Sequence, residues 1–100
     1  MPYICYCEDG PEGTSKRQEH MAAHLAYIET ILDKILIAGP MAEANSETYA
    51  SSCFVYDTET KAETMELLHN DPYYKAGIYK SVDCRRFLAA AGTWVGGKTW

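Results

Sequence analysis

Apolar residues change their spacing several times along the chain, and each spacing predicts a different element. The run from Tyr3 to Cys7 is rich in aromatic and small apolar residues and predicts a strand, which turn formers follow. From about Ser15, the predicted N-cap, to Leu36, apolar residues recur at spacings of four and three, which predicts one long helix. Its predicted buried stripe consists of Met21, Leu25, Ile28, Leu32 and Ile35.

The middle of the chain predicts two more strands. The run from Ile37 to Met41 begins extended, and its Gly39-Pro40 pair is typical of an edge strand or a bulge. A polar stretch from Glu43 to Glu47 predicts a loop. Tyr49 to Tyr56 then predicts the next strand.

Capping signals predict two helical segments in the second half of the chain. Thr60 and Glu63 form a capping box that begins a helix. Asp71 and Pro72 are typical of the N-cap and first residue of a further short helical turn, and Gly77 is typical of its C-terminal end.

The order of the elements predicts the fold. Tyr79 to Phe87 predicts the last strand, and residues 88–100 form a glycine-containing tail. The order strand, helix, strand, strand, helix, strand is that of an α+β, ferredoxin-like domain with one antiparallel sheet. Both helices of such a domain lie on the same face of the sheet.

The predicted strands carry apolar residues on both faces. Tyr3 and Cys5 point to one side of the first strand, and Ile4 and Tyr6 point to the other. Since the helices cover only one face, a second sheet is needed for the other, and a homodimer supplies it. We therefore expect a homodimer, which can stack into larger assemblies, and we expect the tail 88–100 to pack on the partner subunit.

Composition and charge narrow the class of protein. Hydrophobic types make up 47% and charged types 23% of the 100 residues, which is the balance of a single globular domain spanning 1–100. A net charge of −5 without a basic cluster argues against nucleic acid and anionic membranes as partners. No apolar stretch approaches the ~20 residues that span a bilayer, and the N-terminus lacks the pattern of a signal peptide. We expect a cytoplasmic protein.

The four cysteines all lie inside predicted strands. In the absence of a secretion signal they are predicted to remain reduced. Cys5 and Cys7 point to one face of a strand and no CxxC motif is present, so we expect neither a metal site nor a redox site.

Three segments of the chain resemble the YCII-related (YciI-like) family. They are His24-Leu25-Ala26, Ala38-Gly39-Pro40 and the stretch from Asp71 to Tyr79, in that order. The Asp-Pro-Tyr and Ala-Gly element of the last segment is the most specific. The resemblance covers nearly the whole chain and implies the dimeric α+β barrel superfamily, in which two ferredoxin-like sheets pack face to face.

The resemblance also implies a site. The histidine and aspartate that family members share correspond to His24 and Asp71, and one type of member removes chloride from a chlorinated hydroxyhydroquinone. Arg17 fits one of the positions where members carry arginine, whereas another such position is occupied by Met21. This departure puts an anionic substrate in doubt unless His20 has taken over the role.

The residues themselves allow a functional and a structural interpretation of this site. His24 lies at the border of the predicted apolar stripe, and an imidazole is the natural acid or base near neutral pH. Asp71 would orient the imidazole, but a carboxylate at an N-cap can also have the purely structural role of accepting hydrogen bonds from backbone amides. Arg17, His20 and His24 lie at spacings of three and four, so they share a helical ridge that suits an anion or is a solvated face.

Three further residues are candidates for the wall of a pocket. Tyr73 follows the Asp-Pro turn and offers an apolar ring with a polar tip, which suits an aromatic ligand. Gly39 and Pro40 would shape the rim through their backbone. The eight tyrosines of the chain can equally fill a dimer interface.

Three hypotheses follow. The first is an enzyme without metal or organic cofactor that transfers a proton in an isomerisation or elimination, with His24 as acid or base, Asp71 as its partner and Arg17 or His20 steadying negative charge. The second is a non-catalytic module that binds a small aromatic or anionic metabolite in the same pocket. The third is a structural dimer with a vestigial cleft.

Overall fold

A four-stranded antiparallel sheet is the main feature of the computed structural model, which describes residues 1–100. The main elements are β1 (Tyr3–Asp9), α1 (Gly13–Thr30), β2 (Ile35–Ala42), β3 (Tyr49–Tyr56), α2 (Lys61–His69), α3 (Pro72–Lys75) and β4 (Tyr79–Arg86). A short hairpin of β5 (Ala91–Gly92) and β6 (Gly97–Lys98) follows. The sheet order is β2-β3-β1-β4, and all neighbouring strands are antiparallel. The predicted α+β, ferredoxin-like architecture is confirmed.

The core lies between the sheet and the helices. Cys5 of β1 and Phe54 and Tyr56 of β3 point to this side, where they pack with Leu68 of α2. Tyr27 of α1 packs against the same cluster. Because both helices contribute to it, this face of the sheet is the one they cover.

The first helix is shorter than predicted. It ends at Thr30, a 3₁₀ turn spans Leu32–Lys34, and β2 begins at Ile35, whereas the helical spacing predicts a helix as far as Leu36. Ile35 is paired with Tyr56 in the sheet. Pairing of a β-branched residue with the neighbouring strand therefore outweighs helical periodicity at this junction.

Only part of the predicted apolar stripe reaches the core. Ile28 and Ile35 pack against the core cluster, whereas Met21 is 47% exposed, Leu25 52% and Leu32 60%. The buried residues of the helix are Gly13 and Arg17. Met21 and Leu25 line a cavity between α1 and the sheet, so the same spacing that marks a core stripe marks a pocket wall in this chain.

Three predicted helix caps have different outcomes. Ser15 is not an N-cap, because α1 begins at Gly13 and the Ser15 hydroxyl donates to the Glu12 carbonyl instead. Thr60 accepts a hydrogen bond from the Glu63 amide at 3.1 Å, which confirms Thr60 as the N-cap, but the Glu63 carboxylate pairs with Lys34 and does not close the capping box. The predicted cap of α3 is also present and belongs to the candidate site.

The prediction of four reduced cysteines is wrong for two of them. Cys5 and Cys84 form a disulfide, with Cα atoms 4.1 Å apart. The reason is their register, since Cys5 of β1 lies directly opposite Cys84 of β4. Cys7 and Cys53 are free.

The sheet face turned away from the helices carries an apolar groove. Its volume is about 1180 Å³, and it runs between the strands and the tail after β4. Ile4 and Val55 lie in its floor, while Leu88 and Trp94 of the tail form part of its wall. No helix of the chain is both long enough and apolar enough to cross a membrane.

Candidate active site

His24 and Asp71 meet between α1 and the N-terminus of α3. Nδ1 of His24 lies 2.7 Å from Oδ1 of Asp71, although 47 positions separate the two residues. The Asp71 side chain is fully buried and that of His24 is 13% exposed. With an ionised carboxylate as acceptor, Nδ1 carries the proton, and Nε2 is left for a molecule beside the ring.

Asp71 is positioned by the helix that it caps. Its Oδ1 accepts a hydrogen bond from the Tyr73 amide at 2.9 Å, and Pro72 occupies the first turn of α3. One oxygen therefore serves both the helix and the imidazole. The N-cap function and the contact with His24 occur together in this chain.

Tyr73 holds the imidazole ring from its face. The ring centroids of His24 and Tyr73 lie 3.8 Å apart, and the ring planes differ by 2°. Burial raises the pKa of Tyr73, the Arg17 charge lowers it and the Asp71 charge raises it again, with a net rise. The hydroxyl therefore stays protonated and donates to the Arg17 carbonyl at 3.2 Å.

Arg17 is held in a buried ion pair. Its Nε and Nη2 donate to the two carboxylate oxygens of Asp9 at 2.8 and 2.9 Å, and Nη2 also donates to the Ser52 hydroxyl at 2.9 Å. Burial lowers the pKa of Arg17, but the hydrogen bond and the charge of Asp9 outweigh it and raise the pKa. Asp9 packs so closely on α1 that a Cβ at Gly13 would lie 2.8 Å from the Asp9 Cβ.

A cavity of about 260 Å³ opens beside these residues. Its polar lining includes Arg17, His24, Ser52 and Tyr73. Its other walls come from α1, β2 and β3, namely Met21, Leu25, Ile28, Ala38, Gly39, Pro40, Tyr49 and Phe54. An apolar cavity of roughly 150 Å³ holds a benzene molecule, so this one has room for a single substituted ring.

Five of the seven candidate site residues line this cavity, and Asp71 is linked to it through its contact with His24. Gly39 contributes backbone, since nothing lies within 4 Å of a Cβ built on it. His20 is outside the lining, and its Nε2 lies 3.8 Å from a carboxylate oxygen of Glu19. Arg17 and His24 are seven positions apart and almost aligned on the helix, whereas His20 is turned from Arg17 by about 60°.

Sequence reasoning missed two polar residues of the site. Asp9 neutralises Arg17 and Ser52 binds it, but neither has a recognisable motif. Ser52 gives a weak signal, because a serine pair inside an otherwise aromatic and apolar strand requires hydrogen-bond partners.

Comparison with known proteins identifies the class of this chain. A model of the YCII-related domain matches residues 1–88, and the chain therefore belongs to the YCII-related family. No curated protein matches the sequence significantly.

One solved structure is similar over nearly the whole chain. It is 5-chloro-2-hydroxyhydroquinone dehydrochlorinase (TftG) from Burkholderia phenoliruptrix AC1100, in complex with 2,5-dihydroxybenzoquinone. The identity is 30%, the TM-score is 0.82, and the match covers 93% of this chain and 97% of that one. Proteins from Arabidopsis thaliana and Chloroflexus aurantiacus J-10-fl match 91% of this chain, and 96% and 95% of their own, at 10% identity and a TM-score of 0.47 each.

Proposed function

We propose that this chain is a small-molecule enzyme of the YCII-related family that transfers a proton without a metal or an organic cofactor. The similarity to a dehydrochlorinase over nearly its full length supports an elimination, and an isomerisation uses the same proton transfer. The observation that carries the proposal is the 2.7 Å contact of His24, which lines the cavity, with a fully buried Asp71.

His24 acts as the base and Asp71 as the group that orients it. Asp71 holds the proton on Nδ1, so the lone pair of Nε2 is available to a substrate hydroxyl. In the elimination, the substrate gives a proton to Nε2, its C–Cl bond breaks and chloride leaves, while the product gains one double bond. The net loss is HCl, and neither an oxidant nor a reductant is needed.

The substrate class that the cavity favours is a single hydroxylated aromatic ring. Asp9 neutralises the Arg17 charge, so the cavity offers no free cation for a carboxylate or phosphate group. Nη1 of Arg17 makes no hydrogen bond within the protein and remains a donor to a ring oxygen. The flat Tyr73 ring and the apolar walls suit an aromatic body.

Chloride release from 5-chloro-2-hydroxyhydroquinone tests the proposal. His24→Gln should lower the rate by about a hundredfold or more, because it removes the base. His69→Gln, at the exposed end of α2, is the matched control and should keep the wild-type rate. A His24→Gln protein as fast as the wild type would overturn the assignment.

A non-catalytic binding module is the alternative outcome of the same experiment. It predicts that the wild type and His24→Gln bind 2,5-dihydroxybenzoquinone nearly equally and that neither releases chloride. The cavity supports this alternative as well, because its apolar walls and the Tyr73 ring can hold an aromatic ring without a base.

The working unit that we propose is a homodimer of single domains spanning 1–100. The apolar groove on the outer face of the sheet supports it, as do Trp94 and Trp100 of the tail 88–100, which are 83% and 74% exposed. Ile37→Asp, at an exposed position that lines the groove, should give a monomer by sedimentation analysis, whereas Ala62→Asp, at an exposed position of α2 on the opposite side of the sheet, should not.

A further inference from the structure

The first helix presents a polar side and an apolar side to the cavity beside His24. Five residues of α1 line this cavity, namely Arg17, Met21, His24, Leu25 and Ile28. With about 100° per residue, His24 is turned from Arg17 by about 20° in one direction. Met21 and Leu25 are turned from Arg17 by about 40° and 80° in the other direction. These two residues therefore form the apolar side, which we call the Met21–Leu25 wall.

Met21 lies between the two polar residues along the helix. It comes four positions after Arg17 and three before His24, which are the spacings of neighbouring side chains on a helix surface. Both Met21 and Leu25 are half exposed, so neither is packed into the core. A ring that reaches Arg17 and His24 together therefore has to pass Met21.

The Met21–Leu25 wall has no charge to offer a ligand. Arg17 is the only permanently charged residue in the lining of the cavity, and Asp9 neutralises it through an ion pair of 2.8 Å. The walls from β2 and β3 contain no lysine, arginine, aspartate or glutamate. A carboxylate that left water for this wall would lose hydration without gaining a counter-charge. A methyl group or a chlorine would gain apolar contact instead, and the soft thioether of Met21 suits both.

We propose that Met21, together with Leu25, selects hydroxylated rings whose further substituent is uncharged, such as a chlorine or a methyl group, over rings that carry a carboxylate. Met21 is then a specificity-determining residue that takes no part in the proton transfer. This inference rests on the proposed function, because it needs a hydroxylated ring in the cavity, but it concerns which ring binds and not what happens to it. A cation at position 21 would meet the same substituent and should reverse the selection.

Two rings of nearly the same shape test the inference. Methylhydroquinone and 2,5-dihydroxybenzoate each carry two hydroxyl groups para to one another, and they differ in having a methyl group or a carboxylate beside one of them. NMR titration of the protein with each ring, in the absence of oxygen, measures the two dissociation constants without any turnover. The wild type should bind methylhydroquinone at least about tenfold more tightly, which is the discrimination that an apolar pocket typically gives.

Met21→Arg should reverse this preference. The guanidinium can pair with the carboxylate, and a half-exposed position has room for the longer side chain. Leu25→Arg places a cation on the same wall and gives an independent test if Met21→Arg does not fold. Ala23→Arg is the matched control, since it adds the same charge at an exposed position of α1 that is turned from Met21 by about 160°. This control should keep the wild-type preference.

Two results would overturn the inference. One is a wild-type preference in both Met21→Arg and Leu25→Arg, and the other is a wild type that binds 2,5-dihydroxybenzoate more tightly than methylhydroquinone. A reversed preference in a protein whose wild type releases no chloride would support Met21 as a specificity-determining residue and count only against the proposed function. Chloride release by the wild type with the same preference in every variant would count only against this inference, so the two failures are distinguishable.

Discussion

At the scale of single residues, Asp71 links local structure to chemistry. Its Oδ1 accepts from the Tyr73 amide and faces Nδ1 of His24. The carboxylate therefore stabilises the start of α3 and fixes the ring orientation of a residue on α1. Alanine at this position removes both the cap of α3 and the contact with His24. Asparagine keeps an oxygen for the cap and removes only the negative charge beside His24.

Asp71→Ala should destabilise the protein more than an ordinary lost cap does. Loss of an N-cap acceptor costs about 1 kcal/mol, and the buried His24 donor left unpaired adds on the order of 1–3 kcal/mol. Urea unfolding would measure the sum. Thr60→Ala, which removes only the exposed cap of α2, should cost about 1 kcal/mol. Equal costs for both variants would contradict a stabilising His24 contact.

Residues with a local signature were predictable, and residues defined by distant contacts were not. The Asp-Pro dipeptide predicts the N-cap at Asp71 from neighbouring positions alone. The pairing with His24 had only the family resemblance behind it, because the partners are 47 positions apart. The partners of Arg17 had no signal of this kind, since Asp9 and Ser52 reach it only after β1 and β3 have paired.

At the scale of elements, the Arg17–Asp9 pair fastens α1 to the end of β1. Both side chains are nearly buried, at 8% and 6% exposure, so neither charge is well solvated. Ser52 extends the link to β3. The pair fixes the first half of α1 over the sheet and so holds the helix that carries His24 in place.

Arg17→Met alone should therefore be more harmful than a double change. Leaving the buried Asp9 carboxylate without its partner costs about 3–5 kcal/mol. Arg17→Met combined with Asp9→Leu removes both charges and should recover much of that loss. The free energy of unfolding from urea titration provides the comparison. A double variant less stable than Arg17→Met would show that the pair is not charge-coupled in this way.

Element types followed from the sequence better than element ends did. The spacing of apolar residues identified α1, but the same spacing continues into Ile35, which pairs with β3. No glycine or proline separates the helix from β2, so only the tertiary pairing determines where the helix ends. Likewise, Met21 and Leu25 have the spacing of core residues but line a cavity. Periodicity identifies the apolar face of a helix, but it does not show whether that face packs on the core or borders a cavity.

At the scale of the whole molecule, the Cys5–Cys84 disulfide connects the two ends of the fold. It joins β1 to β4 and closes a loop across 79 positions. The prediction of reduced thiols rested on the compartment expected for the protein and not on the geometry of the fold. The register of β1 against β4 is a property of the folded sheet and was not available to that reasoning.

Reduction of this disulfide should lower the free energy of unfolding by about 4 kcal/mol, since a loop of this length restricts the unfolded chain strongly. Unfolding with and without a reductant would measure the effect. Cys53→Ser, which removes a free thiol, should keep the full dependence on reductant, and Cys84→Ser should abolish it. Persistence of the dependence in Cys84→Ser would contradict this linkage.

The central claim is that Asp71 holds the proton of the neutral His24 ring on Nδ1, and ¹⁵N NMR of this ring in the wild type and in Asp71→Asn measures it most directly. Asparagine keeps an oxygen for the Tyr73 amide but removes the negative charge. The account predicts ¹⁵N shifts of a ring protonated on Nδ1 in the wild type and a clear loss of that preference in Asp71→Asn, because an amide oxygen is a weaker acceptor than a carboxylate. Identical ¹⁵N shifts of the His24 ring in the two proteins would contradict it.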